Sequence, residues 1–355
     1  MDQYADIVKP KLVKAVVWGL LLGLIIAFLL YFETILKPLF IAFFIWILIK
    51  ELRHALGKIK INGKAMPSFI RGTIAIIMIL SFLFFQVEII ILNARAMAEN
   101  APEYHEKVQN LSNFVSKYFL NPDVKKNIDK WIKEIDVPKL AGVFANSFTS
   151  AIGHTFIILI YLIFMLLEEF VFTKKIRTIF PEPTHKFREM VHVAYRINDS
   201  IRKYFMSKTI VSLLLAIICY IVLILFGVDF PVFWAFLIFI LNYIPFVGSF
   251  FATLFPSIMA VFQFGDFSYF LYVFISVEAV QIIMANVVEP KLMGKNLNLS
   301  PLTVLIALAL WGYLWGIIGM ILAVPITAML AIIFAQFPES KYVAILLSEK
   351  GDVAD

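Results

Sequence analysis

Glu278 is an acidic residue at the centre of an apolar stretch of the sequence. The stretch runs from Tyr269 to Val288, carries no other charged side chain and is long enough to cross a lipid bilayer as a helix. A carboxylate at that depth costs roughly 2.5 to 3.5 kcal/mol on insertion scales, so it must face a bundle interior or a water-filled cavity. There it can exchange a proton or hold a cation, as ion-coupled transport requires. The structural alternative is a protonated glutamate that is hydrogen-bonded to a broken helix.

Other polar residues extend this pattern. Gln281 follows Glu278 by one helical turn and therefore lies on the same face. Asn286 and Glu289 continue this polar character toward the loop that follows. Asn242 and Ser249 are the first and last residues of the sequence NYIPFVGS. We predict that all of them line the path of a small polar solute, a monovalent cation or a proton. The predicted pathway residues are Glu278, Gln281, Asn286, Glu289, Asn242 and Ser249.

The elements that must position these residues include two uncharged segments that are too long to be single upright spans. Pro231 to Phe264 has 34 residues and Leu302 to Gln336 has 35, so either would be about 50 Å long as a straight helix. An interior proline removes a backbone hydrogen bond and costs roughly 3 kcal/mol. The predicted breaking residues are Pro245, Gly248 and Pro256 in the first segment, and Gly312, Gly316, Gly319 and Pro325 in the second.

We predict that both segments are broken hairpins, with breaks at 242–249 and 311–319. Backbone groups freed within lipid must be buried among helices or line a cavity, so we expect both breaks to offer such groups to a solute or ion. By the predicted topology the two segments enter the membrane from opposite sides. Broken segments in this arrangement indicate inverted repeats and a binding site near the middle of the bilayer. We expect the first break to turn the chain at the inner side and Pro256 to loosen the returning helix. A lipid-buried hairpin that merely turns is the alternative.

The composition is that of an integral membrane protein. Hydrophobic residues make up 61% of the 355 residues and charged residues 16%, against about 25% charged in soluble domains. We predict an all-α, multi-pass bundle with a small helical extracytoplasmic domain. Its eight hydrophobic segments are Ala15 to Phe32, Ile35 to Ile49, Gly72 to Leu92, Phe148 to Leu167, Thr209 to Phe226, Pro231 to Phe264, Tyr269 to Val288 and Leu302 to Gln336.

The distribution of lysine and arginine predicts the orientation. The loop from Lys50 to Arg71 holds six basic residues and one acidic residue, and cytoplasmic loops carry such an excess. Both termini are therefore assigned to the cytoplasm. The predicted parts are N-terminal transmembrane helices (1–92), the extracytoplasmic helical domain (93–150), a transmembrane helix followed by a cytoplasmic amphipathic helix (151–208), the C-terminal transmembrane core (209–337) and a cytoplasmic tail (338–355).

Several classes of protein lack support in the sequence. The five histidines form no HExxH pattern, and there is no GxSxG element or GxxxxGK[ST] phosphate loop, so we predict no enzymatic activity, cofactor or metal site. The single cysteine, Cys219, excludes a disulfide within one chain. The net charge of +6 arises from basic residues spread over loops, so a nucleic-acid partner is not expected.

The C-terminal half resembles the autoinducer-2 exporter family, also called the PerM or uncharacterised permease family, of bacterial and archaeal membrane proteins. The resemblance is carried by three motifs in order: Asn-x-x-Pro-x-x-Gly, Pro-x-x-x-Gly, and Trp-Gly-x-x-Trp-Gly-x-x-Gly-x-x-x-Ala-x-Pro. Here these are Asn242, Pro245 and Gly248; Pro290 and Gly294; and Trp311, Gly312, Trp315, Gly316, Gly319, Ala323 and Pro325.

The resemblance implies a multi-pass transporter of the cell membrane, the bacterial inner or archaeal plasma membrane. Some members are linked to export of autoinducer-2 and others to sodium or proton exchange, and a homo-oligomer is implied, with a pentameric ring as one form. We therefore predict export of a small polar solute coupled to an ion or proton gradient through Glu278. The alternatives are a monovalent cation/proton antiporter and a non-transporting membrane scaffold.

Overall fold

The structure is a computed structural model in which nearly all of the described chain is helical. It describes residues 10–61, 64–100, 155–169, 185–293 and 298–351, with some further residues within 102–107 and 171–179. The helices are α1 (Pro10–Tyr31), α2 (Glu33–Gly57), α3 (Ser68–Glu99), α4 (155–169), α5 (His185–Leu225), α6 (Pro231–Leu241), α7 (Val247–Phe264), α8 (Phe267–Ile283), α9 (Glu289–Met293), α10 (Pro301–Ala335) and α11 (Lys341–Leu347). Two antiparallel strands of two residues each, Lys60–Ile61 and Lys64–Ala65, precede α3.

Four of the described helical stretches are long and apolar enough to cross a membrane, and the bent pair α1 and α2 can add a fifth. This pair bends by 81° at a short break. Two shorter apolar helices, Ser68–Phe82 within α3 and the 11-residue α6, overlap further predicted segments. The segment Phe148 to Leu167 is described only from residue 155, so the count of eight segments stays a prediction. The four stretches are Val191–Leu225, Val247–Phe264, Phe267–Leu292 and Pro301–Ala335.

Local signals explain where several helices begin. Pro231 and Pro301 occupy the first turns of α6 and α10, where a missing N–H is tolerated. The side chain of Ser300 accepts a hydrogen bond from the Thr303 N–H, and Asp266 caps α8 in the same way. These caps satisfy backbone groups that lipid could not.

Helix α5 differs from the sequence expectation. The predicted amphipathic cytoplasmic helix and the following hydrophobic segment form one helix of 41 residues, so the boundary placed at residue 208 lies inside it. The apolar face of its amphipathic part is buried toward the C-terminal end, where Ile201, Tyr204 and Phe205 pack against α2 and α10, whereas Val191 and Ala194 are exposed. A helix that packs against protein on one side shows the same periodicity as a membrane-surface helix.

The first long segment folds back on itself as α6 and α7. The chain breaks at 242–246, where Phe246 adopts a positive φ of 59°, and α7 begins at Val247. Gly248 packs directly on the Leu241 carbonyl oxygen, where any Cβ would overlap that oxygen. Pro256 lies inside α7 without ending it, although we expected this proline to loosen the helix.

The second long segment, α10, also reverses direction. Gly316 has φ 67° and ψ −145°, a conformation essentially restricted to glycine. In a straight helix, Trp311 and Gly319 would lie about 12 Å apart along the axis, because eight residues separate them. Here they are in contact, since a Cβ on Gly319 would overlap the carbonyl oxygen of Trp311. The Trp311 indole also donates to Thr327 Oγ1, 16 residues later, at 3.3 Å. The chain therefore turns back at Gly316.

The core of the described bundle contains a small apolar cluster between α2, α3 and α4, and two large apolar clusters that meet at α6. One contains Leu215, Trp234, Met259 and Val277 from α5 to α8, and the other joins α2, α5 and α10 around Trp315. The C-terminal residues are tied down as well, since the Ser300 N–H donates to the Leu347 carbonyl at 3.0 Å. This scaffold holds α7 and α8 side by side.

Most of the predicted extracytoplasmic domain lies outside the described residues. Helix α3 continues past its predicted boundary to Glu99, and Tyr104 is buried against the bundle. The Tyr104 hydroxyl donates to Asp229 Oδ2 at 2.9 Å. Burial and the neighbouring Asp229 carboxylate raise the pKa of Tyr104 well above its usual value. This contact joins the start of the predicted domain to the loop before α6.

Candidate functional site

A cavity of about 310 Å³ opens beside the break between α6 and α7. It lies between that break, α5 and the continuous helical stretch formed by α8, a π-helical turn at Met284–Val288, and α9. All six residues predicted from sequence to form the pathway line it, together with Lys208 and Pro245. The remaining lining residues are Leu215, Ile244, Phe246, Ile282, Met284 and Ala285.

Glu278 is held in a hydrogen-bond network between α7 and α8. Thr253 is fully buried, and its hydroxyl donates to Glu278 Oε2 at 2.9 Å. Gln281, 5% exposed, donates from Nε2 to Thr253 Oγ1 at 2.7 Å and to the Ser249 carbonyl at 2.9 Å. Gln281 thus satisfies a backbone carbonyl in the first turn of α7, directly after the break.

Thr253 is a site residue that the sequence interpretation missed. It contacts both Glu278 and Gln281, whereas the predicted pathway contains only Ser249 from α7. A signal was present: Ser249, Thr253 and Ser257 recur at intervals of four residues and so share one face of a helix. That polar stripe in an apolar helix faces α8.

Lys208 is the second missed residue. Its ammonium group lies 2.7 Å from Glu289 Oε1, with the two side chains 6% and 23% exposed. The pair joins α5 to α9 at the edge of the cavity. The sequence placed Lys208 at the end of a loop and gave no sign of burial. Because removing one partner of a buried pair leaves a lone charge, each residue depends on the other.

Asn242 fixes the break against α5. Its Nδ2 donates to Ser212 Oγ at 2.8 Å, and the neighbouring Tyr243 hydroxyl lies 2.7 Å from Thr209 Oγ1. Both bonds connect the end of α6 to one face of α5. The broken backbone is therefore held in place by side chains, as non-helical structure at membrane depth requires.

Ser249 and Asn286 bond to their own helical backbone. The Ser249 hydroxyl donates to the Phe246 carbonyl at 2.9 Å, and Asn286 Nδ2 donates to the Ile282 carbonyl at 2.9 Å. Asn286 is exposed and lies in the π-helical turn. Such turns occur frequently at functional sites because they change the helical face on which later residues lie.

The second break does not belong to this cavity. None of its residues, 311–319, lines the cavity, so of the two breaks only the first can offer backbone groups there. A contact between the second break and a solute or ion stays a prediction. Trp315 is 2% exposed, donates from its indole to the Leu29 carbonyl at 3.2 Å and lies against Phe40. Trp315 is therefore packed into the bundle, whereas the space beside Gly316 itself is open.

The cavity combines one cation with two carboxylates. Glu289 is paired with Lys208, whereas Glu278 accepts its bond from an uncharged hydroxyl. Among the described residues, no group of three or more His, Cys, Asp or Glu side chains is arranged to hold a metal ion. The site therefore offers hydrogen-bonding groups and a titratable carboxyl group around a small space.

Comparisons with known proteins agree with a transport role for this architecture. A putative transport protein of Haemophilus influenzae is 29% identical over 330 residues, covering 90% of this chain and 91% of its own. One of Borreliella burgdorferi is 38% identical over 187 residues, covering 52% and 50% respectively. The AI-2 transport protein TqsA of Escherichia coli is 26% identical over 339 residues, covering 95% and 96%.

The family comparison covers nearly the whole chain. Residues 18–339 match the family model described as AI-2E family transporter. With its apolar helices, the chain is a multi-pass membrane protein. It belongs to the AI-2E transporter family.

Proposed function

We propose that this protein exports a small polar solute of the autoinducer-2 type across the cell membrane and couples export to a proton or cation gradient through Glu278. The observation that carries the proposal is the cavity at the first break, where Glu278 and five other polar residues named from sequence meet. The relative TqsA, which aligns with 95% of this chain, is named for AI-2 transport.

The size and lining of the cavity suit a small hydroxylated solute. Its volume of about 310 Å³ is at the lower end of the range for small-molecule sites, roughly 300 to 1,000 Å³. The amide groups of Asn242 and Asn286 and the carboxyl group of Glu278 supply both donors and acceptors. A solute with several hydroxyl groups can bond to each of them.

The coupling role rests on how Glu278 is held. When ionised, it accepts the Thr253 hydroxyl; when protonated, it can instead donate to a solute in the cavity. Gln281 bonds to the same Thr253 hydroxyl and to the Ser249 carbonyl, so a change at Glu278 reaches the break. We propose that protonation of Glu278 biases the break between inward-facing and outward-facing arrangements.

A monovalent cation/proton antiporter is the second candidate. The observation that favours it is that the two carboxylates of the cavity have unequal partners: Lys208 neutralises Glu289, whereas Glu278 has only a hydroxyl. Glu278 with the amide oxygens of Gln281 and Asn286 provides the oxygen ligands that a sodium ion prefers. In this version the proton and the cation compete for one carboxylate.

The orientation, assembly and partners belong to the same proposal. We propose that both termini and the Lys208–Glu289 end of the cavity face the cytoplasm, because the basic residues cluster on that side. We also propose that the protein works as a homo-oligomer in the bilayer, with a pentameric ring as one form. Cross-linking in native membranes tests the subunit number.

Flux into proteoliposomes tests the proposed function. Labelled autoinducer-2 and sodium are compared as substrates, with and without a proton gradient. We expect autoinducer-2 flux that a proton gradient accelerates, and loss of that acceleration in Glu278→Gln. Glu88→Gln is the matched control, since Glu88 is exposed on α3 away from the cavity.

The other outcomes separate the alternatives. Sodium flux without autoinducer-2 flux would favour the antiporter. No flux of either in the purified protein would favour the scaffold. A Glu278→Gln variant that transports like the wild type across a range of pH would refute the coupling role.

A further inference from the structure

We infer that the protein carries a second binding site, for a phosphate-type anion, in a basic cleft separate from the solute cavity. The basic cleft has a volume of about 370 Å³ and is lined by Lys50, Arg53, His54, Arg71, Arg202 and Glu51. Four permanent cations thus surround one carboxylate. The chemistry recognised is a phosphate group, carried either by an anionic lipid headgroup or by a free phosphate compound.

The positive charge of the basic cleft is only partly neutralised by the protein. Arg202 pairs with Glu51 at 3.1 Å and with Asp199 at 3.6 Å. Arg53 pairs with Glu169 at 2.5 Å, and Lys50 lies 3.9 Å from the same carboxylate. Each of these carboxylates therefore already has an arginine partner. Lys50 lies over the Trp46 ring at 4.4 Å, which holds its ammonium group in place without neutralising it.

Arg71 is the arginine of the basic cleft that forms no ion pair within the described part of the protein, whereas Arg53 and Arg202 each have a carboxylate partner. Its Nε is buried and has no hydrogen-bond partner there, so this atom faces protein and not the cleft. The guanidinium lies against Gly57, at the end of α2, where any Cβ would collide with it. The outer N–H groups of Arg71 are the ones that an anion in the basic cleft would meet. Arginine also matches phosphate oxygens through paired N–H groups.

The start of α3 adds a second, independent attraction. Ser68, the first residue of this 32-residue helix, lines the basic cleft, and the preceding Pro67 provides no side-chain cap within the described chain. The unpaired N–H groups and positive dipole end of a helix favour bound anions. Asn198 on α5 also lines the basic cleft and carries an amide group that can donate a hydrogen bond.

The position of the basic cleft distinguishes it from the transport site. It is built from α2, α3 and α5, and none of its lining residues lines the solute cavity. Its residues come from the stretch that the charge pattern assigns to the cytoplasmic face, where anionic lipids and phosphate compounds are both present. An anion bound there would join the C-terminal part of α2, the start of α3 and the side of α5, and so stabilise the bundle.

Thermal unfolding of the full-length protein in nanodiscs tests the inference. One arm adds pyrophosphate to protein in phosphatidylcholine discs; the other replaces part of the phosphatidylcholine with phosphatidylglycerol. We expect pyrophosphate or phosphatidylglycerol to raise the midpoint of thermal unfolding of the wild type. Arg71→Gln should weaken the apparent affinity for that anion about tenfold, which is the effect of losing one charge-assisted contact. A pyrophosphate response assigns a free anion, and a response to phosphatidylglycerol alone assigns a lipid headgroup.

Two further variants keep the test decisive. Lys37→Gln makes the same change of charge on α2, at a residue that pairs with Glu33 and does not line the cleft, and should respond like the wild type. Lys50→Gln replaces Arg71→Gln if that variant does not fold. A wild type that responds to neither arm, or an equal loss of response in Lys37→Gln, would overturn the site.

Discussion

The buried pair of Lys208 and Glu289 provides the most direct test of how the cavity is held together. At 2.7 Å, two unit charges interact by about 6 kcal/mol at an effective dielectric constant of 20, and desolvation offsets much of this. Lys208→Met removes the cation and leaves the carboxylate in place. Loss of one partner of a buried pair lowers the free energy of unfolding by about 3 to 5 kcal/mol. Because Glu289 is 23% exposed and water can partly solvate its lone carboxylate, we expect a loss of about 3 kcal/mol.

A double-mutant cycle separates the energy of the interaction between Lys208 and Glu289 from the contribution that each residue makes on its own. In Lys208→Met/Glu289→Gln neither charge remains, so we expect it to regain about 2 kcal/mol of the free energy of unfolding that Lys208→Met lost. Denaturant titration of the purified protein in mixed micelles measures both values. The exposed pair of Lys175 and Glu168 is the control, for which we expect a coupling below about 1 kcal/mol.

The result that would refute the reasoning is specific. If the double variant is as unstable as Lys208→Met, the lone Glu289 carboxylate is not the cause of the loss. The pair would then not stabilise the junction of α5 and α9. The edge of the cavity would have to be held by the apolar contacts and by the bond from Ser207 to the Leu292 carbonyl.

Two further predictions concern the second turn and the opposite end of the bundle. Gly319→Ala should lower the midpoint of thermal unfolding by several degrees, because the added Cβ would overlap the Trp311 carbonyl oxygen, whereas Gly23→Ala, with open space around it, should have little effect. Tyr104 has a raised pKa in the folded protein, so its contribution to stability is complete below about pH 10, the usual value, and decreases as pH rises further. The difference in the free energy of unfolding between wild type and Tyr104→Phe, measured by denaturant titration, should therefore be constant from pH 7 to about pH 10. Above that pH it should shrink. A difference that stays constant at higher pH would contradict the raised pKa of Tyr104, which burial and the Asp229 carboxylate together cause.

Sequence patterns predicted the elements of the candidate site well because they act locally. Proline and glycine change the backbone wherever they occur, so the reversal at 242–246 and at Gly316 could be expected from those residues. A glutamate in an apolar stretch must find polar surroundings, and Glu278 does lie beside Thr253 at the cavity. Both inferences need only the residue and its immediate neighbours.

Errors arose where packing between distant residues decides the outcome. The stripe on α5 was interpreted as a membrane-surface face, but Ile201 and Phe205 are covered by α2 and α10. An apolar stripe has the same period whether lipid or protein covers it. Likewise, nothing next to Lys208 in the chain indicates Glu289, which lies 81 residues away.

The sequence alone determined that this chain is a helical membrane protein with two interrupted segments, and its motifs resemble one transporter family. Hydropathy, proline and glycine carry that information because lipid leaves the backbone few alternatives. Only the tertiary structure decided that the first break and α8 share a cavity, that the second break packs around Trp315 instead, and that Lys208 closes a pair with Glu289. Those relations depend on how helices far apart in sequence pack together, and such contacts leave no local pattern.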